Sequence, residues 1–547
     1  MAKGVIEPKH GRDVPGSVIL DDRAAEHYPE SGLDLSQLKH AKGRYSHIIL
    51  SPQPSNDPND PLNWPQSKKI MTMSTILICG IICAVVNGPL LAAGTVVIAQ
   101  DIGVSIAHIS LLTGETLLVA GCWCIPVSIL SRIWGKRPQF LFAVAINVVG
   151  VVIAIASFST GSFAVLKAGR LIQGLSASAF ESIIFSVIVD LFFVHERGTW
   201  IAATTVVLAG LSNLTPLIAG QITFRLGWHW NLYIYLIFSV IVLLLMFFFA
   251  PETTYKRQTR DVTPPHPNSP QIQDEKVQVG HEERIQENSL AVPVHVKRTY
   301  SSSLAVFTGT YTKPSRALHM LCRLFLVLLN PVTWFLLATQ AAITAFWVAV
   351  SYTLAQIYSP PPYLLDASQV GFMFAGPLVG AVVGCTFMVW ADDTFAIWIS
   401  RRNNGKYEPE FRLPLLTIAI MMAPIGFFLM GRSVKVEARP MIGAVFYGIA
   451  AIGVSVSNAA GSSYLSDAYP SITLEAFIWA CCTKNLLFYG FSKFINDWVT
   501  NHGAEEVFYT LGGLSAALIL VGLPMYFLGK KTRDMWDCWD LLEKFEA

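Results

Sequence analysis

Long apolar runs recur along this chain, spaced by short polar stretches, and they begin only after a polar head of about seventy residues. Twelve such runs are read, at about 70–94, 106–130, 138–159, 162–189, 199–222 and 230–250, then 329–357, 367–390, 413–430, 438–466, 473–498 and 506–529. Each is long enough to cross about 30 Å of hydrocarbon as helix. Within lipid every backbone donor and acceptor must be paired inside the segment, so the runs predict helices rather than loops or open strands. They fall into two sets of six. The predicted fold is an all-α membrane protein with twelve transmembrane helices in two pseudo-symmetric six-helix bundles. The expected division is a tail over 1–69, a first bundle over 70–250, a linker over 251–328, a second bundle over 329–529 and a tail over 530–547. Two such sets joined by a long polar loop are the layout of parallel repeats in secondary carriers.

The polar segments refine this reading. The head has no apolar h-region, so the first span is expected to serve as the targeting signal. Repeated Asx-Pro steps before Trp64 favour extended turns, and Trp64 with Lys68 and Lys69 reads as an interfacial anchor. The stretch from about 251 to 315, rich in Pro, Ser and Gln with mixed charge, reads as a disordered or partly helical linker. Composition agrees: 53% of residues are hydrophobic, only 14% are charged and the mean hydropathy is +0.48, too little charge to cover a soluble domain of this length.

The net charge of +2 matters less than its placement. One set of loops holds Arg132, Lys136, Arg137, Arg197, Lys256, Arg257, Arg401, Arg402, Lys406 and Arg412, while the other holds mainly Arg225, Arg432, Lys435 and Arg439. That bias places both termini and the linker in the cytoplasm. Nucleic acid is not an expected partner. Of nine cysteines most lie inside apolar runs, so no disulfide framework is expected; Cys122 and Cys124, two apart on a helix, diverge and make poor metal ligands. No Gly-x-x-x-x-Gly-Lys-Ser/Thr phosphate loop occurs, and histidines are scattered in loops, so neither an ATP-driven pump nor an enzyme is expected. Neither cofactor nor metal is called for.

Charged groups inside hydrocarbon need a partner or a task. Four stand out: Glu115 in the second span, Arg170 and Glu181 in the fourth, and Lys484 in the eleventh. Arg170, Gln173, Gly174, Ala177 and Glu181 share one helix face, polar and small, turned to a cavity or to a neighbouring helix. Arg170 and Glu181 either pin helices by hydrogen bonds or line the transport path. Glu115 lies at a depth similar to Arg170 and either pairs with it or snorkels outward. Lys484 either faces a central cavity or pairs with a carboxylate. Asn87, Gln173, Asn213, Asn458 and Lys484 are candidate cavity residues. Asn87-Gly-Pro in the first span, Gly210, Asn213, Pro216 and Gly220 in the fifth, and Gly376, Pro377, Gly380 and Gly384 in the eighth interrupt otherwise apolar helices, for close packing or for gating.

These motifs, in this order, resemble the major facilitator superfamily, and within it the fungal drug:proton antiporter-like branch. Pro126 to Pro138, with Gly135, Lys136 and Arg137, is similar to the family's loop after the second helix; Arg132 stands where the family has an acidic residue. Gly169-Arg170-Leu-Ile-Gln173-Gly174 is similar to the motif whose arginine the family implicates in proton coupling. Thr215-Pro216 through Gly220 resembles the antiporter Gly-Pro motif, and Pro251-Glu252-Thr253 closes the sixth span as in relatives. The run from Asp190 to Gly198, the stretch from Arg401 to Arg412 and the Asn-Asp-Pro run before Trp64 resemble the fungal branch in particular. The resemblance implies a proton-coupled carrier in the plasma membrane, working as a monomer by alternating access on a small-molecule substrate. Efflux of an amphipathic organic compound is the first expectation, and import or exchange of a small organic cation such as a polyamine is the alternative. Glu181 is the expected proton carrier, Arg170 sets its affinity and Glu115 is its rival. Arg132, Gly135, Lys136, Arg137, Pro216, Gly220 and Asp392 are expected to act in the conformational change.

Overall fold

The computed structural model describes residues 18–19, 55, 57–193, 200–201, 203–255, 299–313, 316–403, 406–469 and 471–539. The linker over 256–298, most of the N-terminal tail, the His195–Gly198 motif and residues 540–547 lie outside the described residues. Eleven described helical segments are long and apolar enough to cross a membrane. We label them α1 (Gln66–Val86), α2 (Ile106–Trp134), α3 (Lys136–Thr160), α4 (Phe163–Leu191), α5 (Ala203–Leu226), α6 (His229–Phe249), α7 (Pro331–Tyr358), α8 (Ala367–Ser400), α9 (Pro409–Lys435) and α10 (Pro440–Ala468). The remaining apolar segment, Ala504–Trp539, is α12. Between α10 and it runs α11 (Thr473–His502), a 30-residue helix at the eleventh predicted span that is less apolar because it carries Glu475, Lys484, Lys493 and Asp497.

Local chemistry sets the ends. Ser105 caps α2 by accepting from the His108 N–H, and Asp366 opens α8 with a reciprocal capping box to Gln369 at 2.8 and 3.1 Å. Gly135, with φ of 96°, permits the turn from α2 into α3 that a side chain would strain. The regular α-helical part of α1 ends at Gly80, a π-helical stretch over Ile81–Val86 follows, and after the Asn87-Gly-Pro break a short 3-10 turn runs over Pro89–Leu91. Three boundaries differ from the sequence reading. Helix α8 continues well past 390, α12 runs on to Trp539 where a tail was expected from 530, and Ala317–Leu329 before α7 is helical. The first two are amphipathic continuations whose polar faces are clamped by ion pairs, which an apolar run does not reveal.

Burial separates inner from outer helices. In α4 and α7, 67% of the most apolar window is buried; in α6 it is 28%, with Ile237, Phe238, Leu244 and Phe248 turned outward as a lipid-facing surface. Close helix contact follows from small residues. A Cβ at Gly169 would stand 2.5 Å from Ala154 N, which brings α4 onto α3, and one at Gly220 would stand 2.6 Å from Ala367 O, which brings α5 onto α8. A Cβ at Gly121 would stand 2.8 Å from the Asn485 Cβ, which brings α2 onto α11, so the two halves meet along α2–α11 and α5–α8. Among the described residues, two short strands, β1 (Val18–Ile19) and β2 (Lys406–Tyr407), pair antiparallel.

Candidate transport site

Arg170 is fully buried on α4. Its Nη1 donates to Asn87 Oδ1 at 2.8 Å and to Gln173 Oε1 at 2.7 Å, and its Nη2 donates to the Asn87 carbonyl. Asn87 Nδ2 in turn donates to the Gln173 carbonyl at 3.0 Å. The break at Asn87-Gly-Pro is what frees these carbonyls, so the guanidinium fills backbone valences that a continuous helix would have closed. Asn87 and Gln173, expected to line a cavity, are committed to holding Arg170.

Glu181 lies eleven residues further along α4, about 16 Å of rise away. Its Oε2 accepts from Lys484 Nζ at 3.1 Å and from Asn485 Nδ2 at 2.9 Å, both on α11 of the other half. The cation beside Glu181 is thus Lys484 and not Arg170. Glu115 does not pair with Arg170 either: Lys167 on α4 donates to it at 2.7 Å, inside the first half. Arg170 gives its terminal nitrogens to amide and backbone oxygens, its Nε having no partner among the described residues, and both carboxylates go to the lysines.

In the second half, Thr344 on α7 and Asn458 on α10 hydrogen-bond each other at 3.0–3.2 Å. They border a cavity of about 30 Å³ that Trp347, Ala381, Val454 and Ser455 also line. The buried Trp347 Nε1, Gln340 Oε1 and Tyr352 hydroxyl have no hydrogen-bond partner among the described residues. In the first half, Asn213 is buried with its Nδ2 likewise unpartnered.

At the end of the bundle that carries the linker, charges tie helices together. Arg132 Nη2, on α2, pairs with Glu475 of α11 at 3.0 Å, across the halves; Arg323 shares the same carboxylate at 3.4 Å. Where the resemblance has an acid, this chain has the base, and the acid stands on the opposite helix. Lys136 pairs with Asp190 at the end of α4, while the Lys136 and Arg137 N–H groups donate to Glu252 at 3.1 and 3.0 Å. The second half repeats the plan: Arg412 at the start of α9 pairs with Asp467 at the end of α10 at 2.7 Å, and with Asp392 and Asp393 of α8. Burial, and behind it the Asp467 carboxylate, push the Tyr407 phenol up, so it stays protonated and donates to Asp467. Lys530 and Arg533 of α12 close on Glu408 and Glu410 at 2.8–2.9 Å. Pro216 and Gly220 sit where α5 meets α8.

Sequence reasoning missed Glu475, Asn485 and Asp467 as site residues. Glu475 and Asp467 were legible as carboxylates at the ends of spans on the arginine-rich side. Asn485, a neutral amide beside Lys484, carried no such mark.

Residues 76–473 match the Major Facilitator Superfamily. The chain belongs to that superfamily. Among its relatives, an uncharacterized MFS-type transporter of Schizosaccharomyces pombe is 26% identical over 95% of this chain and 93% of its own. The Saccharomyces cerevisiae protein named probable drug/proton antiporter YHK8 is 26% identical over 82% of this chain and 81% of its own. The superfamily fold recurs in the xylose transporter XylE from E. coli, at a TM-score of 0.52 and 15% identity over 84% of this chain and 96% of that one. Likewise, the human organic anion transporter MFSD10 gives 0.51 and 18% over 84% and 100%. This superfamily member is a multi-pass membrane transporter and not an enzyme.

Proposed function

We propose that this transporter is a proton-coupled exporter of a small amphipathic organic compound, with Glu181 carrying the proton. The observation that carries the reading is the Glu181–Lys484 pair, a titratable carboxylate deep in the bundle that bonds one half to the other. Ionised, Glu181 holds the tie; protonated, it loses the charge that Lys484 answers, and the halves are released to rock about the site. A carboxylate whose exposure changes between two states loads and releases a proton without further chemistry. The relative named as a probable drug/proton antiporter supports coupling of this kind. The Lys/Arg bias supports cytoplasmic termini and linker; residence in the plasma membrane and action as a monomer belong to the same proposal and rest on the family resemblance alone.

One observation favours a second substrate class. Glu181 already accepts an ammonium and an amide, the donors that a small organic cation would bring. Comparing metabolites inside and outside cells with and without the gene identifies the compound. Vesicles then test the coupling: an imposed proton gradient should drive flux, ATP without a gradient should not, and flux that survives a protonophore overturns the proposal.

A further inference from the structure

The helix Ala317–Leu329, which leads into α7, presents three distinct faces. Leu324 and Val327 are buried against the bundle. Leu318, Phe325 and Leu329, spaced by seven and four residues, form a second stripe and are 69%, 50% and 58% exposed. Arg316, His319 and Arg323 occupy a third face, with Lys313 just upstream. Between residues 299 and 331 the chain has no acidic residue.

Asn330 turns the chain and caps α7 by accepting from the Val332 N–H, so this elbow helix ends where the α7 span begins. Trp334, in the first turn of α7 and 61% exposed, donates its indole N–H to the Leu328 carbonyl at 2.8 Å, an interfacial anchor next to the apolar stripe. The bundle leaves this apolar stripe exposed beside Trp334, at the start of the otherwise buried α7. Arg323 bonds Glu475, which Arg132 shares, and the Ser471 carbonyl, while Lys313 and Arg316 are exposed. An exposed apolar stripe beside exposed basic side chains, next to the start of a membrane span, fits an anionic membrane surface.

We propose that Ala317–Leu329 is an interfacial helix that binds anionic phospholipid headgroups on the linker side of the membrane, through Lys313 and Arg316, with Leu318 and Phe325 seated among the acyl chains. Because Arg323 on this helix shares Glu475 with Arg132, the bound lipid adjoins the tie between the halves.

The test is hydrogen exchange of the full chain in nanodiscs of phosphatidylcholine alone or with about a third phosphatidylserine. Amides of 317–326 should exchange about five- to thirtyfold more slowly with the anionic lipid, in line with the attraction expected of one or two basic side chains. The double variant Lys313→Gln with Arg316→Gln should lose that lipid dependence while the exchange of α7 and α11 stays unchanged. Leu318→Ser, a milder change, should speed exchange in both lipids. Equal exchange in the two lipids overturns the proposal. So does equal protection in phosphatidylcholine discs given soluble glycerol phosphate, which would mark a site for a free phosphate.

Discussion

Glu181 and Arg170 share one face of α4, yet they meet different partners, because the break after Asn87 offers carbonyls to the guanidinium and α11 offers Lys484 to the carboxylate. Replacing Glu181 by Gln keeps the hydrogen bond from Asn485 and removes the charge, and so imitates the protonated state. Gradient-driven flux should then fall about tenfold or more while substrate exchange persists, since only the carboxylate's titration is lost. The check is paired flux and exchange in vesicles; normal gradient-driven flux in this variant with loss in Glu115→Gln would move the proton site to α2. That Glu181 mattered was legible in the sequence, as a carboxylate inside an apolar run. That Lys484 answers it was not, because 303 residues separate the two.

Among elements, the contact of α2 with α11 carries the reversed pair. Arg132 sits where its superfamily motif has an acid, and Glu475 on α11 supplies that acid from the other side. A pair with one nearly buried member loses about 2 kcal/mol when one charge is inverted, between the values for surface and buried pairs. Arg132→Glu should therefore shift the protein toward the state open on the linker side, read as increased thiol labelling of Cys482 from that side. Arg132→Glu combined with Glu475→Arg should restore part of the native labelling, since the swap preserves that attraction but sets Arg323 against a like charge. If the double variant labels like the single one, the pair does not hold this end closed. The charge clamps of the two halves follow one plan, Lys136 with Asp190 and Arg412 with Asp467, as duplicated bundles would.

On the scale of the molecule, orientation and linker can be tested directly. Tags in the N-terminal tail, near residue 275 and at the C-terminus should all be inaccessible from outside intact cells, as the Lys/Arg bias requires; labelling any one of them overturns the orientation. Deleting residues 262–298 should leave flux within about twofold, because that composition lacks a foldable core. The deletion must stop there. The Tyr300 hydroxyl donates to the Phe248 carbonyl at 2.9 Å and the Tyr311 N–H to the Ile133 carbonyl at 2.8 Å, so the end of the linker is part of the folded first half. A correctly localised but inactive deletion would show that the removed stretch gates or binds.

The apolar runs, read alone, determined the membrane class, the two sets of helices and most of their places, because crossing hydrocarbon imposes length and apolarity on each segment separately. Charge inside those runs also marked Glu115, Arg170, Glu181 and Lys484, since burying a charge without a reason is too costly to be common. Only the tertiary structure decided the partners. It gave Lys167 to Glu115, the α1 carbonyls to Arg170, Lys484 to Glu181 and Glu475 to Arg132. Pairing depends on which faces of distant helices meet, and that is set by the packing of small residues such as Gly114 and Gly121 on α2 against α11 and Gly220 on α5 against α8, not by any local pattern.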